Sequence, residues 1–328
     1  MSEKKNMRNY SLDILKFFCA LLVVFAHVLP PYYMSAAIEP LRRCAVPLFF
    51  MMSGYLTYGK PNITSVVCKR MVSVFKIFCW AFLLYSFFFI VDYDLPMYVS
   101  YIETHIVSIV CFNDVFYAIH LWYLLSYIYV LGIVWCVAKY NLYKWLYAAI
   151  PFLIVVALLL GKYHLFIWDD FVPTYVSRNF LFMGLPFFAL GMLVKRYELL
   201  IRQCVSLKAI VLSVGIFYLM GLAEIRYLDL YMKSGDMYFS TTFMSVSVLI
   251  FFLFYGPSRD NILSKIGRED SLYIYVFHLL VAHKLCDPIF ENTSLMPYYP
   301  YFSAILVFVV TILLVRILRK IKIVGNII

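Results

Sequence analysis

The chain has 328 residues, of which 64% are hydrophobic, 20% aromatic and only 14% charged, with a mean hydropathy of +0.86. Soluble domains carry roughly half apolar and a quarter charged residues, so a water-soluble globule is excluded, and a disordered chain would need the opposite bias. A net charge of +10 invites a nucleic-acid partner, but the placement of the cations gives a different account.

The apolar runs, such as Ala148 to Leu160 and Leu249 to Phe254, are apolar on every side, whereas the strands of membrane barrels alternate. The spans are therefore helices, which satisfy their own backbone in lipid. Ten are predicted in chain order, near 11–29, 45–58, 77–92, 119–138, 145–161, 178–194, 209–223, 241–255, 271–285 and 301–317. Several are short for a hydrocarbon core of about 30 Å and draw on their flanks.

With the N-terminus inside, twenty of the 28 Lys and Arg fall on the cytoplasmic side, among them Lys4, Lys5, Lys60, Lys69, Arg70, Lys76 and Lys322. Six fall outside, namely Arg42, Arg43, Lys162, Arg178, Arg226 and Lys233, while Lys16 and Lys284 lie within spans. The positive-inside rule then favours ten spans with both termini cytoplasmic, and with Asp169, Asp170 and the 286–300 loop outside. The basic balance reflects topology, and no nucleic-acid partner is implied.

Lys4, Lys5 and Arg8 ahead of an apolar stretch imitate a secretory signal, but Asp13 and Lys16 interrupt the apolar region, so this segment is kept as the first span. The eight cysteines show no CxxC pair and no metal-ligand spacing, and five lie in spans or cytoplasmic segments where disulfides are not expected. One bridge among Cys44, Cys111 and Cys286 stays open. The longest loop, Val91 to Ala118, is too short and too apolar to be a domain, and no internal repeat or polar linker is present. One all-α polytopic membrane domain over residues 1–328 is expected.

Chemistry in such a protein is sought among the ionisable groups kept in lipid, since each is costly unless it faces a cavity or a partner. The first span holds Asp13, Lys16 and His27. Lys16 and His27 are eleven residues apart, almost a whole number of turns, so they share a helix face about 16 Å apart along the axis. The plainer reading makes Asp13 and Lys16 an i,i+3 pair at one interface and His27 a residue of the other.

The second span reads VPLFFMMSGYL from Val46 to Leu56, preceded by Arg43. With it the sequence resembles the acyltransferase family 3 membrane proteins in four blocks. The first is a basic residue followed, after ten residues, by a histidine (Lys16 and His27), although arginine is commoner in the family. The others are Arg43 with VPLFF..SGYL, the HLW block of His120, Leu121 and Trp122, and SLYIYVFH from Ser271 to His278 after Gly267. Between Lys139 and Arg259 only hydropathy matches.

The resemblance implies a multi-pass protein of the bacterial cytoplasmic membrane that transfers an acyl group, usually acetyl from acetyl-CoA, to a hydroxyl of a surface glycan or its lipid-linked precursor. Its implied partners are acetyl-CoA, that glycan acceptor and membrane lipids, with no cofactor beyond the donor and no metal; a homo-oligomer is left open. The donor is anionic at one end and carries its thioester on a long arm, which suits cations inside and a proton acceptor further out. Lys16 and Arg70 are the candidate donor-binding residues, Lys69 and Lys76 serving topology instead.

His27 is the candidate general base or acylated nucleophile, since an imidazole titrates near neutrality. Arg43 would stabilise an oxyanion or hold an anionic acceptor, or is simply an interfacial arginine. Asp13 supports Lys16. Ser53 and Gly54 suit close helix packing, with a hydrogen bond from Ser53 into the site as the lesser alternative. His120 and Trp122 suit an interfacial aromatic belt, with acceptor contact as the alternative, and His278 lies deep enough for a supporting polar role. A glycan or lipid transporter and a non-catalytic subunit of a glycan-assembly complex are the competing classes; transporters often show inverted repeats, and none is found here.

Overall fold

The computed structural model describes residues 8–166, 172–228 and 236–320. Lys4, Lys5, Asp169, Asp170, Lys233 and Lys322 lie outside the described residues. The chain begins with α1 (Tyr10–His27), α2 (Tyr32–Thr57), α3 (Ile63–Asp92) and α4 (Leu95–Phe112). A short 3-10 segment, Phe116–Leu121, leads into α5 (Trp122–Lys139), followed by α6 (Tyr143–Leu160), the single turn α7 (Thr174–Ser177), a π turn at Phe180–Gly184, α8 (Leu185–Arg196) and α9 (Glu198–Cys204). Then come α10 (Leu207–Leu228), α11 (Phe239–Tyr255), α12 (Ile262–Glu269), α13 (Ser271–Val281), α14 (Asp287–Phe290) and α15 (Tyr299–Lys320). No strand occurs among the described residues.

Seven of these helices are long and apolar enough to cross a membrane, eight if the bent pair Phe180–Arg196 and Glu198–Cys204 counts as one span. The protein is an all-helical, multi-pass membrane protein. Each of the ten segments predicted from the sequence falls largely on helix. Among them Phe239–Tyr255 is shorter than a full span.

Three expectations need correction. The segment expected as the longest loop, Val91 to Ala118, is mostly the helix α4; Asp94 caps its start by accepting from the Met97 amide at 2.7 Å, and Asn113 ends it in the left-handed region at φ 53°. The second span starts not near residue 45 but at Tyr32, so Arg43 lies inside α2 rather than before it. Glu39 neutralises Arg42 and Arg43 one turn on, so the helix carries three charges that read as its flank. The third helix begins at Ile63, which puts Lys69, Arg70 and Lys76 on helix rather than in a loop. Its 30 residues extend about 45 Å, well beyond a hydrocarbon core of about 30 Å.

α1 forms the wall between two cores. One edge carries Leu12, Leu15, Cys19 and Val23 into the larger cluster with Leu48, Phe50, Phe188 and Met192. The other carries Ala20 and Val24 against Ile274, Val307 and Phe308. Its neighbours are α2 and α11 on one side and α12, α13 and α15 on the other. Cys19 and Ala20, fully buried at its middle, are small enough to let both sets of helices approach. All eight cysteines are free.

A very close crossing joins α2 to α8. Gly54 faces the Phe188 carbonyl, where an added Cβ would stand 1.9 Å from the oxygen, and Gly191 reciprocally faces the Met51 carbonyl at 2.0 Å. This is small-residue helix packing, and Gly54 plays the part expected of it. Both obstacles are backbone, so neither can rotate away. Gly54→Ala is therefore expected to separate the two helices and lower the thermal midpoint, with a cost at or above the usual 1–3 kcal/mol of overpacking. Gly132→Ala, with nothing within 4 Å of the new carbon, should leave the midpoint unchanged or raised in the same melting experiment.

Candidate active site

α1 stops where it does because Pro30 and Pro31 follow, and the residue before a proline avoids helical angles. The stop leaves His27 as the last helical residue, half-buried, at the rim of the bundle. The carbonyls of that last turn lack helical partners. Arg42 supplies one, donating from Nη1 to the Phe25 carbonyl at 3.0 Å, and it is itself paired with Glu39. A cation at a helix C-terminus also complements the dipole.

Two further imidazoles converge on His27. Its ring centroid lies 5.2 Å from that of His278 on α13 and 6.3 Å from that of His120, while His120 and His278 are 5.3 Å apart. His120 and His278 are fully buried. His278 Nδ1 is bonded to the carbonyls of Tyr275 and Ile274 at 2.8 and 3.1 Å. His120 Nε2 meets the Val276 carbonyl at 3.3 Å, which also accepts from the Tyr85 hydroxyl at 2.8 Å. Among the described residues no group of His, Cys, Asp or Glu is arranged to hold a metal ion.

Beside the rings lies a charge network. Arg43 donates to Glu39 at 2.5 Å and also pairs with Asp236, whose other oxygen is 3.2 Å from Arg178. Arg178 stands over the Trp122 ring at 5.7 Å. The segment after it is pinned by Asn113, whose Oδ1 accepts from the Phe180 amide at 2.9 Å while its Nδ2 donates to the Trp122 carbonyl at 3.3 Å. Arg178, Asp236 and Arg42 are among the charges whose field reaches His27. Burial alone would raise the Asp236 carboxyl, but Arg178 and Arg43, with Lys162 beyond them, hold it at about 2 against an ordinary 3.8.

The opposite end of α1 is a polar cleft. Asp13, almost fully buried, receives Arg8 at 2.8 Å and Lys16 at 3.0 Å. The i,i+3 pair is thus real, and Lys16 remains at the wall of a cleft of about 710 Å³ that also presents Lys60, Tyr55, Lys195 and Glu198. A second cleft of about 780 Å³ shares Tyr58, Gly59 and Lys60 with it and adds Lys144 and Arg196. Arg70 turns inward, donating to Thr57 at 2.7 Å and to the Tyr127 hydroxyl at 3.4 Å. From there Tyr127 stacks on Tyr123 at 5.9 Å, Tyr123 meets Tyr275 at 5.4 Å, and Tyr275 meets His120 at 5.6 Å. An aromatic seam bearing hydroxyls therefore joins the two ends, and Ser53 meets the Tyr123 hydroxyl along it.

The structure brings His27, His120 and His278 together, with Arg43 and Trp122 at their margin, and leaves Lys16, Asp13 and Arg70 at the far end. His120 and Trp122 are buried at 0% and 6% exposure, which corrects the aromatic-belt reading: the kinked 3-10 segment before α5 turns them inward. Sequence reasoning passed over Glu39, Arg42, Arg178 and Asp236. The Glu39 pairings were visible as i,i+3 and i,i+4 spacings, whereas Arg178 and Asp236 meet Arg43 only through the fold.

An all-helical membrane bundle with a histidine cluster at one end of its central helix and a basic cleft at the other has the form of a membrane-embedded transferase. The chain belongs to the acyltransferase family 3: the family model described as an acyltransferase domain matches residues 9–323. No curated protein and no solved structure matches it.

The Asp236 values carry a signed expectation. Its folded value lies below the ordinary one, so its contribution to stability is full above about pH 4 and fades as pH falls toward 2. Asp236→Asn should lower the thermal midpoint at neutral pH, and the gap from wild type should narrow between about pH 4 and pH 2. A gap independent of pH in calorimetry would contradict the pairing.

Proposed function

We propose that this acyltransferase is an O-acetyltransferase of the bacterial cytoplasmic membrane, taking acetyl from acetyl-CoA at the Lys16 end and delivering it to a hydroxyl of a surface glycan or its lipid-linked precursor at the His27 end. The observation that carries the reading is the partly buried His27 imidazole at the tip of α1, set among two other imidazoles, while the basic cleft opens at the other end of the same helix. Lys16, Lys60 and Lys195 suit the nucleotide phosphates of the donor, and Arg70 sits at the inner end of the aromatic seam that would receive its arm. The family resemblance, with a length similar to that of the O-acetyltransferase of enterobacterial common antigen, supports a glycan acceptor.

In this reading His27 takes the proton of the acceptor hydroxyl as its oxygen attacks the thioester carbonyl. Arg43 and Arg178 stand ready for the oxyanion or for an anionic acceptor, held in place by Asp236 rather than by solvent. Asp13, Ser53, His120, Trp122 and His278 support these groups. No resident cofactor is required. The whole chain acts as one domain of ten spans with both termini cytoplasmic.

Reporter fusions at Gly59 and Asn292 test the orientation: Gly59 should report the cytoplasm and Asn292 the outside, and both on one side would overturn the path. Purified protein should acetylate a glycolipid extract in a CoA-dependent way. His27→Ala and His27→Asn should bind CoA but lose transfer by roughly a hundred- to ten-thousandfold. Stable label on His27 from radiolabelled acetyl-CoA without acceptor would favour a covalent acyl-histidine over direct transfer. Near-normal transfer by folded His27→Ala protein would refute the assignment.

A further inference from the structure

The hydrogen bonds around the ring cluster decide which nitrogens are bare. A backbone carbonyl accepts and never donates. The carbonyls of Tyr275 and Ile274, at 2.8 and 3.1 Å, therefore require His278 Nδ1 to carry its proton. In the neutral ring this leaves Nε2 as a bare acceptor, fully buried and without a hydrogen-bond partner among the described residues. His120 is fixed the other way: its Nε2 donates to Val276, so Nδ1 is the bare, buried and unpartnered nitrogen. A buried acceptor with nothing to accept is costly and calls for a donor.

Among the described residues, the neighbouring imidazole with no backbone hydrogen bond is that of His27. Its centroid is 5.2 Å from that of His278, a spacing at which two imidazoles can share one N–H···N bond. It is 6.3 Å from that of His120, beyond such a bond. His27 belongs to the last turn of α1, held by Arg42, and His278 is buried within α13. Both rings therefore start from firmly placed backbone.

We propose that His278 is the positioning residue of His27: its Nε2 accepts the N–H of one His27 nitrogen, fixes the tautomer, and leaves the other nitrogen bare toward the acceptor hydroxyl. The proposal rests on the reading of His27 as general base. As the hydroxyl oxygen bonds to the thioester carbonyl carbon, its proton passes to the bare nitrogen of His27. When the C–S bond breaks, His27 returns that proton to the departing thiolate. His278 keeps its own proton on Nδ1 throughout, bound to the backbone. A carboxylate in the same place would orient His27 equally well but would set a fixed charge deep in the bundle, which a neutral ring avoids.

The test uses the full-length protein in detergent and the imidazole acylating reagent diethylpyrocarbonate, with the modification of His27 followed by mass spectrometry. His278→Leu, and His278→Asn, whose short amide does not reach the Nε2 position, should slow labelling of His27 about tenfold, within the usual range for loss of an orienting partner. His278→Gln, whose amide oxygen reaches that position, should stay within about twofold of wild type. In the acetyl transfer assay kcat should fall in the same order while KM for acetyl-CoA is unchanged. Equal labelling in all four proteins, or slowing in His120→Leu with none in the His278 variants, overturns the proposal. Should His278→Leu fail to fold by thermal melting, the comparison of Gln with Asn decides. The two readings fail separately: absence of CoA-dependent transfer by wild type refutes the acetyltransferase reading and leaves the labelling outcome standing, and uniform labelling with intact transfer refutes only the role of His278.

Discussion

Asp236 and Glu39 hold the His27 end of this protein together, because between them they bind three guanidiniums that would otherwise crowd one another beside an imidazole. Glu39 pairs with Arg42 and Arg43, and Asp236 pairs with Arg43 and Arg178. Two of the arginines also tie the network to something else. Arg42 closes the end of α1 through the Phe25 carbonyl, and Arg178 lies over Trp122. The position of His27 follows from those ties. The helix end that carries it is fixed by a cation, the ring beside it is fixed by backbone carbonyls, and neither depends on a flexible loop. Paired charge of this kind contributes little to net stability, since desolvation offsets attraction. It does specify geometry, and removing one partner would strand the others.

The other end of α1 obeys the same constraint with different residues. Asp13 is nearly inaccessible yet receives two cations, so charge is brought to the edge of the bundle and neutralised there. Between the two ends α1 offers only apolar residues, from Phe17 to Ala26, and no hydroxyl. The ends are linked instead by the aromatic seam on the facing helices, where each ring contributes an apolar body and most contribute a hydroxyl. The two ends of α1 are therefore joined by one continuous column of packed rings.

Much of this was legible before any coordinates. Composition alone required membrane helices, and the face shared by Lys16 and His27 was set by eleven residues of spacing on one helix. The Gly54 crossing was legible for the same reason, since small residues in an apolar span have few other uses. Helix ends were misread where charge sits on helix. Arg43 on α2 and Arg70 on α3 were assigned to flanks because unpaired cations end spans; the i,i+4 spacing of Glu39 and Arg43 was visible but was not weighed, and Thr57, which turns Arg70 inward, lies on another helix. α4 was missed because its residues are mixed in polarity and its end is set by a single asparagine in the left-handed region. The encounter of Arg178 and Asp236 with Arg43 was beyond reach in principle, as those residues are brought together only by packing.

The inward turn of the HLW block shows how a local irregularity creates what regular helices could not. A continuous helix through Phe116–Leu121 would have placed His120 by periodicity alone. Instead Ala118 takes non-helical angles, φ −136° and ψ 62°, and the short 3-10 segment delivers His120 against Val276 and Tyr85. There the Val276 carbonyl accepts from both the Tyr85 hydroxyl and His120 Nε2. Departures of this sort cost backbone energy and persist where surrounding contacts over-determine them. The kinked segment Phe116–Leu121 thus ends at one fully buried imidazole, His120, whose ring lies 5.3 Å from that of the other, His278.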